Sequence, residues 1–199
     1  MAVILKQPGS SVPLCPTQRI VTGGTWNHFQ LLRQGFENSR VVRLFYYDGT
    51  IEIIMPGRAH ELFKRLIGLM IEAFLLDREI EFTPTGSMTQ ELAEVAAAEA
   101  DESYEIGDFR LSIEVTVTSG NSSKLKIYQA LEVNEVWFWE DGMITMYHLV
   151  NGDYVKVDRS LIPELVTIDR EVLARCVLIG ETSRVQAMKA FRSAHPVLT

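Results

Sequence analysis

The sequence predicts an α/β or α+β domain built on a mixed central β-sheet flanked by helices, and three observations carry that prediction. Period-two runs and amphipathic helical stretches follow one another as helix, hairpin, helix, strands, helix, strand, hairpin and helices. Two turn dipeptides, Asp48-Gly49 and Asn151-Gly152, each separate a pair of strand-like runs. One run, EVWFWED, is apolar on both faces, with Trp137 and Trp139 on one and Val136 and Phe138 on the other, as in a strand inside a sheet. A chain of 199 residues, 47% hydrophobic and 23% charged, is long enough to bury one sizeable core.

Taken in order, residues 1–25 are rich in Pro, Gly, Ser and Thr and are expected to form an irregular arm, with 26–199 as a single domain. TWNHFQLLRQGFEN reads as a short amphipathic helix capped by Thr25. RVVRLFYYDGTIEIIM is the first hairpin. GRAHELFKRLIGLMIEAFLLD follows as a long helix whose wheel turns Leu62, Phe63, Leu66, Leu69, Met70, Ala73 and Phe74 inward. On that wheel Glu61, Lys64, Arg65 and Glu72 face water, and His60 stands at the border of the apolar stripe. REIEFTPTGSM is expected to continue as strand and turn. TQELAEVAAAEA, acidic and alanine-rich, has high helix propensity and reads as a surface excursion. Its cluster of Glu91, Glu94, Glu99 and Glu102 reads as a solvated face, with Glu102 also placed to support a site at Asp101. MITMYHLVNGDYVKV is the second hairpin, and Asp169 to Ala194 forms helices, one starting after Gly180.

The chemistry is concentrated in the middle of the chain. In FRLSIEVTVT, Phe109, Leu111, Ile113, Val115 and Val117 alternate with Arg110, Ser112, Glu114, Thr116 and Thr118, so Glu114 points away from the hydrophobic layer. In ADESYEI, Tyr104 and Ile106 alternate against Asp101, Ser103 and Glu105, which puts Asp101 on the polar side too. SSKLKIYQALEV reads as a helix capped by Ser122 or Ser123 with Leu125, Ile127, Tyr128 and Leu131 on one stripe. Lys124 falls near the centre of that stripe and Lys126 opposite it. Each residue alone has an ordinary account, a lysine snorkelling past a helix end and a glutamate on a half-exposed sheet. Together, two carboxylates and a lysine from neighbouring elements are what phosphodiester hydrolysis requires. Hard oxygen ligands hold Mg²⁺, and an ammonium steadies the attacking water and the developing charge.

The order Asp101, IEVTVTSG with Glu114, and KLKIYQALEVNEVWFWEDG resembles the Uma-type family of restriction-endonuclease-like proteins, a branch of the PD-(D/E)XK nuclease superfamily. The resemblance runs from about Trp26 into the tail. It implies a restriction-endonuclease-like fold and a Mg²⁺- or Mn²⁺-dependent endonuclease acting on DNA. By match, Asp101 and Glu114 become metal ligands, helped by the Val115 or Thr116 main-chain carbonyl, and Lys124 orients water or stabilises the transition state. Ala100 stands where the family usually has proline. Thr116 stands where the simplest Glu-x-Lys motif has its lysine, so that work passes to Lys124. Gly107-Asp108-Phe109 replaces a Pro-Asp pair. His60 keeps two readings: packing at a helix start, or an auxiliary catalytic residue bordering the cleft, as its match to the family's His-Glu helix start implies.

Other features narrow the function classes. No run reaches the length of a membrane span and the start lacks signal-peptide character, so a cytoplasmic protein is expected. Cys15 and Cys176 have no metal-binding spacing and are expected as free thiols. No Walker-type loop is present, which disfavours a nucleotide-dependent enzyme. The net charge of −7 opposes phosphate binding unless a bound cation inverts the field locally and Arg40, Arg43, Arg58, Lys64, Arg65 and Arg110 form a patch. Cutting both strands needs two sites, hence a homodimer. The alternative to an enzyme is a nuclease-like scaffold reduced to nucleic-acid or protein binding.

Overall fold

The computed structural model describes residues 16–39, 41–116 and 121–197; Cys15, Arg40, Val117 and Thr118 lie outside them. Eleven strands are described in two sheets. Strands β1 (Gln18–Gly23), β2 (Arg43–Tyr47), β3 (Thr50–Met55), β5 (Thr89–Leu92) and β6 (Ala96–Glu99) form an antiparallel sheet in the order β1-β3-β2-β6-β5. Strands β4 (Thr83–Pro84), β7 (Glu102–Ile106), β8 (Phe109–Thr116), β9 (Glu135–Glu140), β10 (Met143–Val150) and β11 (Asp153–Val157) form the second, in the order β11-β10-β9-β8-β7-β4. This sheet is mixed because β8 and β9 run parallel, joined across α3 (Asn121–Ala130), with Glu114 opposite Phe138. The remaining helices are α1 (Trp26–Gly35), α2 (Arg58–Leu76), α4 (Arg170–Gly180) and α5 (Arg184–Ala194).

The layers follow from the two faces of β8 and β9. Ile113, Val115, Trp137 and Trp139 pack against α2, α4 and α5 in the largest core cluster. The opposite residues of β9, Val136 and Phe138, meet Ile127, Tyr128 and Leu131 of α3 together with Phe45, Ala96 and Ala98. Phe29 of α1 covers the far side of the five-stranded sheet with Leu44, Tyr46 and Ile51. This is the mixed α/β arrangement that the order of elements predicts, and β9 is buried on both faces as its sequence requires.

Local signals account for most boundaries. Thr25 accepts the His28 amide while His28 Nδ1 accepts the Thr25 amide, closing a capping box on α1. Both hairpin turns use left-handed backbone, with φ of 44° and 71° at Asp48-Gly49 and 51° and 88° at Asn151-Gly152. Asp169 and Ser183 cap α4 and α5.

Several expectations are corrected. Residues 18–23, read as irregular, form an exposed edge strand on β3. TQELAEVAAAEA is the β5–β6 hairpin and not a helix, with Glu94 turning at φ 64°. Ala96, Ala97 and Ala98 are wholly buried in a strand between β2 and β5; the small side chains of Ala96 and Ala98 let α3 approach, and Ala97 faces the α1 side. Tertiary packing overrides alanine's helix preference there. Of REIEF, only the following Thr83–Pro84 pairs as strand. On α2, Lys64 is buried and Leu69 is 41% exposed, the reverse of the wheel, because α2 is enclosed on more than one side and also buries Ile67, Gly68 and Ile71. Asn121 and Ser122 begin α3, so Ser123 lies within the helix and not at its cap.

Candidate active site

Strand alternation carries Leu111, Ile113 and Val115 into the main core and turns Glu114 to the opposite face, where it is 1% exposed. Asp101 lies at the β6–β7 junction, also buried, fastened beside the same strand: its amide donates to the Ile113 carbonyl and its Oδ2 accepts the Val115 amide at 2.8 Å. The first turn of α2 adds His60, whose Nε2 is 3.0 Å from Asp101 Oδ2. The first turns of α3 add Lys124, whose Nζ is 2.5 Å from Glu114 Oε2 and 4.3 Å above the Phe45 ring. Tyr128, one turn further along α3, donates its hydroxyl to Glu114 Oε1. Four elements distant in sequence thus bring two carboxylates, a lysine, a histidine and a tyrosine together in a buried cluster.

Lys124 therefore lies on the inward stripe of α3, as its helical position predicts, and does not snorkel to water. His60, expected at the border of the apolar stripe, is buried at 3% exposed and paired with Asp101; its Nδ1 is buried with no hydrogen-bond partner among the described residues. Thr116 ends the described part of β8, level with Glu140 in the parallel register. Tyr128 joins this cluster, whereas its sequence pattern placed it only in the apolar stripe. The available signal was its spacing, since i and i+4 share a helix face and a buried phenol needs an acceptor.

The electrostatics follow from burial of unlike charges. Burial is the largest influence on Glu114 and raises its carboxyl to about 7, with Asp101 adding to the rise and Lys124 and Tyr128 holding it back. Burial also acts to raise Asp101, but the hydrogen bond and charge of His60, the charge of Lys124 and the Val115 amide outweigh it and leave Asp101 below its usual value. Burial acts to lower Lys124, yet Glu114 and Asp101 more than compensate and keep it an ammonium. The Tyr128 hydroxyl is raised well above its usual range by burial and by Glu114, and stays a donor. Two carboxylates with unlike proton affinities sit side by side, a pattern common at catalytic sites.

The donor chemistry suits a hard divalent cation: two carboxylates, with main-chain carbonyls at the end of β8. The set is small, for no group of three His, Cys, Asp or Glu side chains able to hold a metal exists among the described residues. The cysteines add nothing to it, since Cys176 is a free, buried thiol in the main core.

The other acidic and basic candidates are engaged elsewhere. Glu99 accepts the Leu44 amide and the Thr89 hydroxyl, and Glu91 pairs with Arg33. Arg110 does not join a basic patch, because its Nη2 donates at 2.8 Å to the Leu131 and Glu132 carbonyls at the end of α3. Glu102 is partly buried; burial raises its carboxyl against the opposing charges of Lys64 and Arg65. No described helix is long and apolar enough to cross a membrane.

A solved structure from Anabaena variabilis, described as a "putative nuclease belonging to DUF820", is similar at 12% identity and a TM-score of 0.47, covering 74% of this chain and 90% of that one. No curated protein matches. The profile of the Uma2 family, described as "Putative restriction endonuclease", matches residues 26–174. That match takes in every residue of the cluster from His60 to Tyr128, and the chain belongs to the Uma2 family.

Proposed function

We propose that this chain is a metal-dependent endonuclease, a hydrolase of DNA phosphodiester bonds. The observation that carries the reading is Lys124 held 2.5 Å from Glu114 beside Asp101, all three buried. Burying such a set is costly unless it does something, since an apolar replacement of a buried ion pair is often neutral or stabilising.

Asp101 and Glu114 would hold Mg²⁺ or Mn²⁺, with the Val115 or Thr116 carbonyl completing the protein's share. Bound there, the ion would supply Lewis-acid polarisation of the phosphoryl oxygen and a more acidic water. Lys124, fixed by Glu114 and the Phe45 face, would lend its ammonium to an attacking water or to the extra phosphoryl charge. Tyr128 orients the Glu114 carboxylate from the other side. His60 would hold Asp101 in place through Nε2, its Nδ1 remaining buried without a hydrogen-bond partner among the described residues. A homodimer would supply two such centres for a double-strand cut.

A plasmid-cleavage assay with Mg²⁺ and with Mn²⁺ tests the reading. The wild type is expected to cut, and Glu114→Ala and Lys124→Ala to lose cutting while remaining folded. Absence of cutting by the wild type, together with no Mg²⁺ binding by calorimetry, would sink it. The second reading, a binding module on a nuclease-like scaffold, is favoured by the small acidic donor set and the charge of −7. It predicts nucleic-acid or protein binding that no metal alters.

A further inference from the structure

One buried carboxylate beside the cluster takes no part in the chemistry proposed for it. Glu52 lies on β3 at 6% exposed. In the antiparallel register it stands directly across from Phe45 of β2, so the two side chains share a face of the five-stranded sheet with Cβ atoms about 5 Å apart. The Phe45 ring is the surface that carries the Lys124 ammonium, 4.3 Å from its centroid. After Glu114 and Asp101, Glu52 is the third acid whose charge acts on Lys124. From β1 it is held by Arg19, its diagonal neighbour across the β1–β3 ladder, whose Nε donates to Oε1 at 2.5 Å. Among the described residues nothing donates to Oε2. The Arg19 side chain is itself 34% exposed. One bond from a partly solvated guanidinium compensates a buried carboxylate only in part.

We propose that Glu52 is a further positioning residue of the site: it holds the Lys124 ammonium over the Phe45 ring, and Arg19 fixes Glu52 for that task. The state of Glu114 is what calls for a second holder. Both of its oxygens already accept a bond, Oε2 from Lys124 and Oε1 from Tyr128. A lysine that leaned on Glu114 alone would lose its anchor once that carboxylate took up a cation, because the cation cancels the charge that draws the ammonium. Glu52 stands on the other sheet, away from that exchange. The need for a second holder rests on the metal-dependent reading; the hold of Glu52 on Lys124 does not. The same arrangement gives β1, an edge strand with all six residues exposed, a part in the site through Arg19. Lys126 lines a recess of about 380 Å³ together with Arg19, Phe45 and Glu52, but it is exposed, and water screens its charge.

The test is a double-mutant cycle in EDTA, read as the unfolding constant from urea denaturation of the full chain. Glu52→Gln and Lys124→Met should each weaken folding, and the loss in the double variant should fall short of the product of the single losses about fivefold. Glu52→Gln and Lys126→Met should combine as the plain product within about twofold. In an Arg19→Gln background, where Glu52 has lost its guanidinium, Lys124→Met should cost about threefold more than in the wild type. An Arg19–Glu52 pair that served β1 alone would produce no such change, and this second arm stands even if Glu52→Gln fails to fold. With Mg²⁺, Glu52→Gln should lower kcat for plasmid cleavage about tenfold at unchanged KM, and Glu52→Asp should recover part of it. Plain products in both arms would overturn the inference whether or not the protein cuts. Coupling together with a kcat that ignores Glu52 would overturn its part in the reaction. Coupling in a protein that neither cuts nor binds Mg²⁺ would uphold the hold on Lys124 and sink the endonuclease reading alone.

Discussion

Replacing Lys124 by methionine isolates the charge of the buried ammonium, because the unbranched stem still packs on Phe45. In the wild type the Glu114 carboxyl is raised from 4.5 to about 7. A carboxyl whose folded value lies above its unfolded one contributes stability that is full below about 4.5 and is lost as pH rises through about 7. Lys124 is the strongest influence holding that value down, so removing it moves the loss to higher pH and makes it larger. A further rise of about two units corresponds to about 3 kcal/mol, at 1.36 kcal/mol per unit. Near pH 5.5 Glu114 is mostly protonated with or without Lys124, and the substitution should cost about 1 kcal/mol or less. Near pH 8.5 the wild type holds Glu114 ionised beside its cation whereas the variant must keep it protonated, and the substitution should cost about 2–3 kcal/mol. Asp101, held below its usual value, changes state only at more acidic pH and does not enter this window. Urea unfolding in EDTA, read from the fluorescence of the buried Trp137 and Trp139, measures both costs. In Glu114→Gln/Lys124→Met most of the alkaline penalty should disappear, giving a coupling of about 2–3 kcal/mol. Equal costs at the two pH values, or a cost below about 1 kcal/mol at alkaline pH as for an exposed pair, would refute the argument.

Glu114→Gln should lower metal-dependent cleavage by at least about a hundredfold while unfolding at an equal or higher urea concentration near pH 8.5; a cleavage rate close to wild type would remove Glu114 from the centre. Tyr128→Phe deletes a donor to the Glu114 carboxylate, so the acid limb of the cleavage profile should move to higher pH with a stability loss of about 1 kcal/mol; an unmoved limb would mean the hydrogen bond has no part in the chemistry. Ala98→Leu should cost about 1–3 kcal/mol by overfilling the space between β6 and α3, measured by thermal unfolding. A tolerated leucine would contradict the close packing described for that layer.

Local rules act over a few residues, and where they suffice the elements were legible. The Asp48-Gly49 and Asn151-Gly152 turns, the Thr25 cap, the alternation of β8 and the inward placing of Lys124 are each decided by chain geometry within one strand or one helical turn. Asp101, Glu114 and Lys124 could be nominated for the same reason: each breaks or opposes a periodic pattern. Contacts between distant segments were not legible. Nothing local in TQELAEVAAAEA says that its alanines will be buried in a strand between β2 and β5. Nothing in the α2 wheel says that the Lys64 face will be covered. His60 shows the division most plainly: its helical position left packing and the cleft both open, and only the meeting of α2 with the β6–β7 junction set Nε2 3.0 Å from Asp101. Periodicity fixes which side of an element a residue faces, whereas its neighbour on that side depends on how separate elements pack, a long-range balance of burial and charge that no short window of sequence contains.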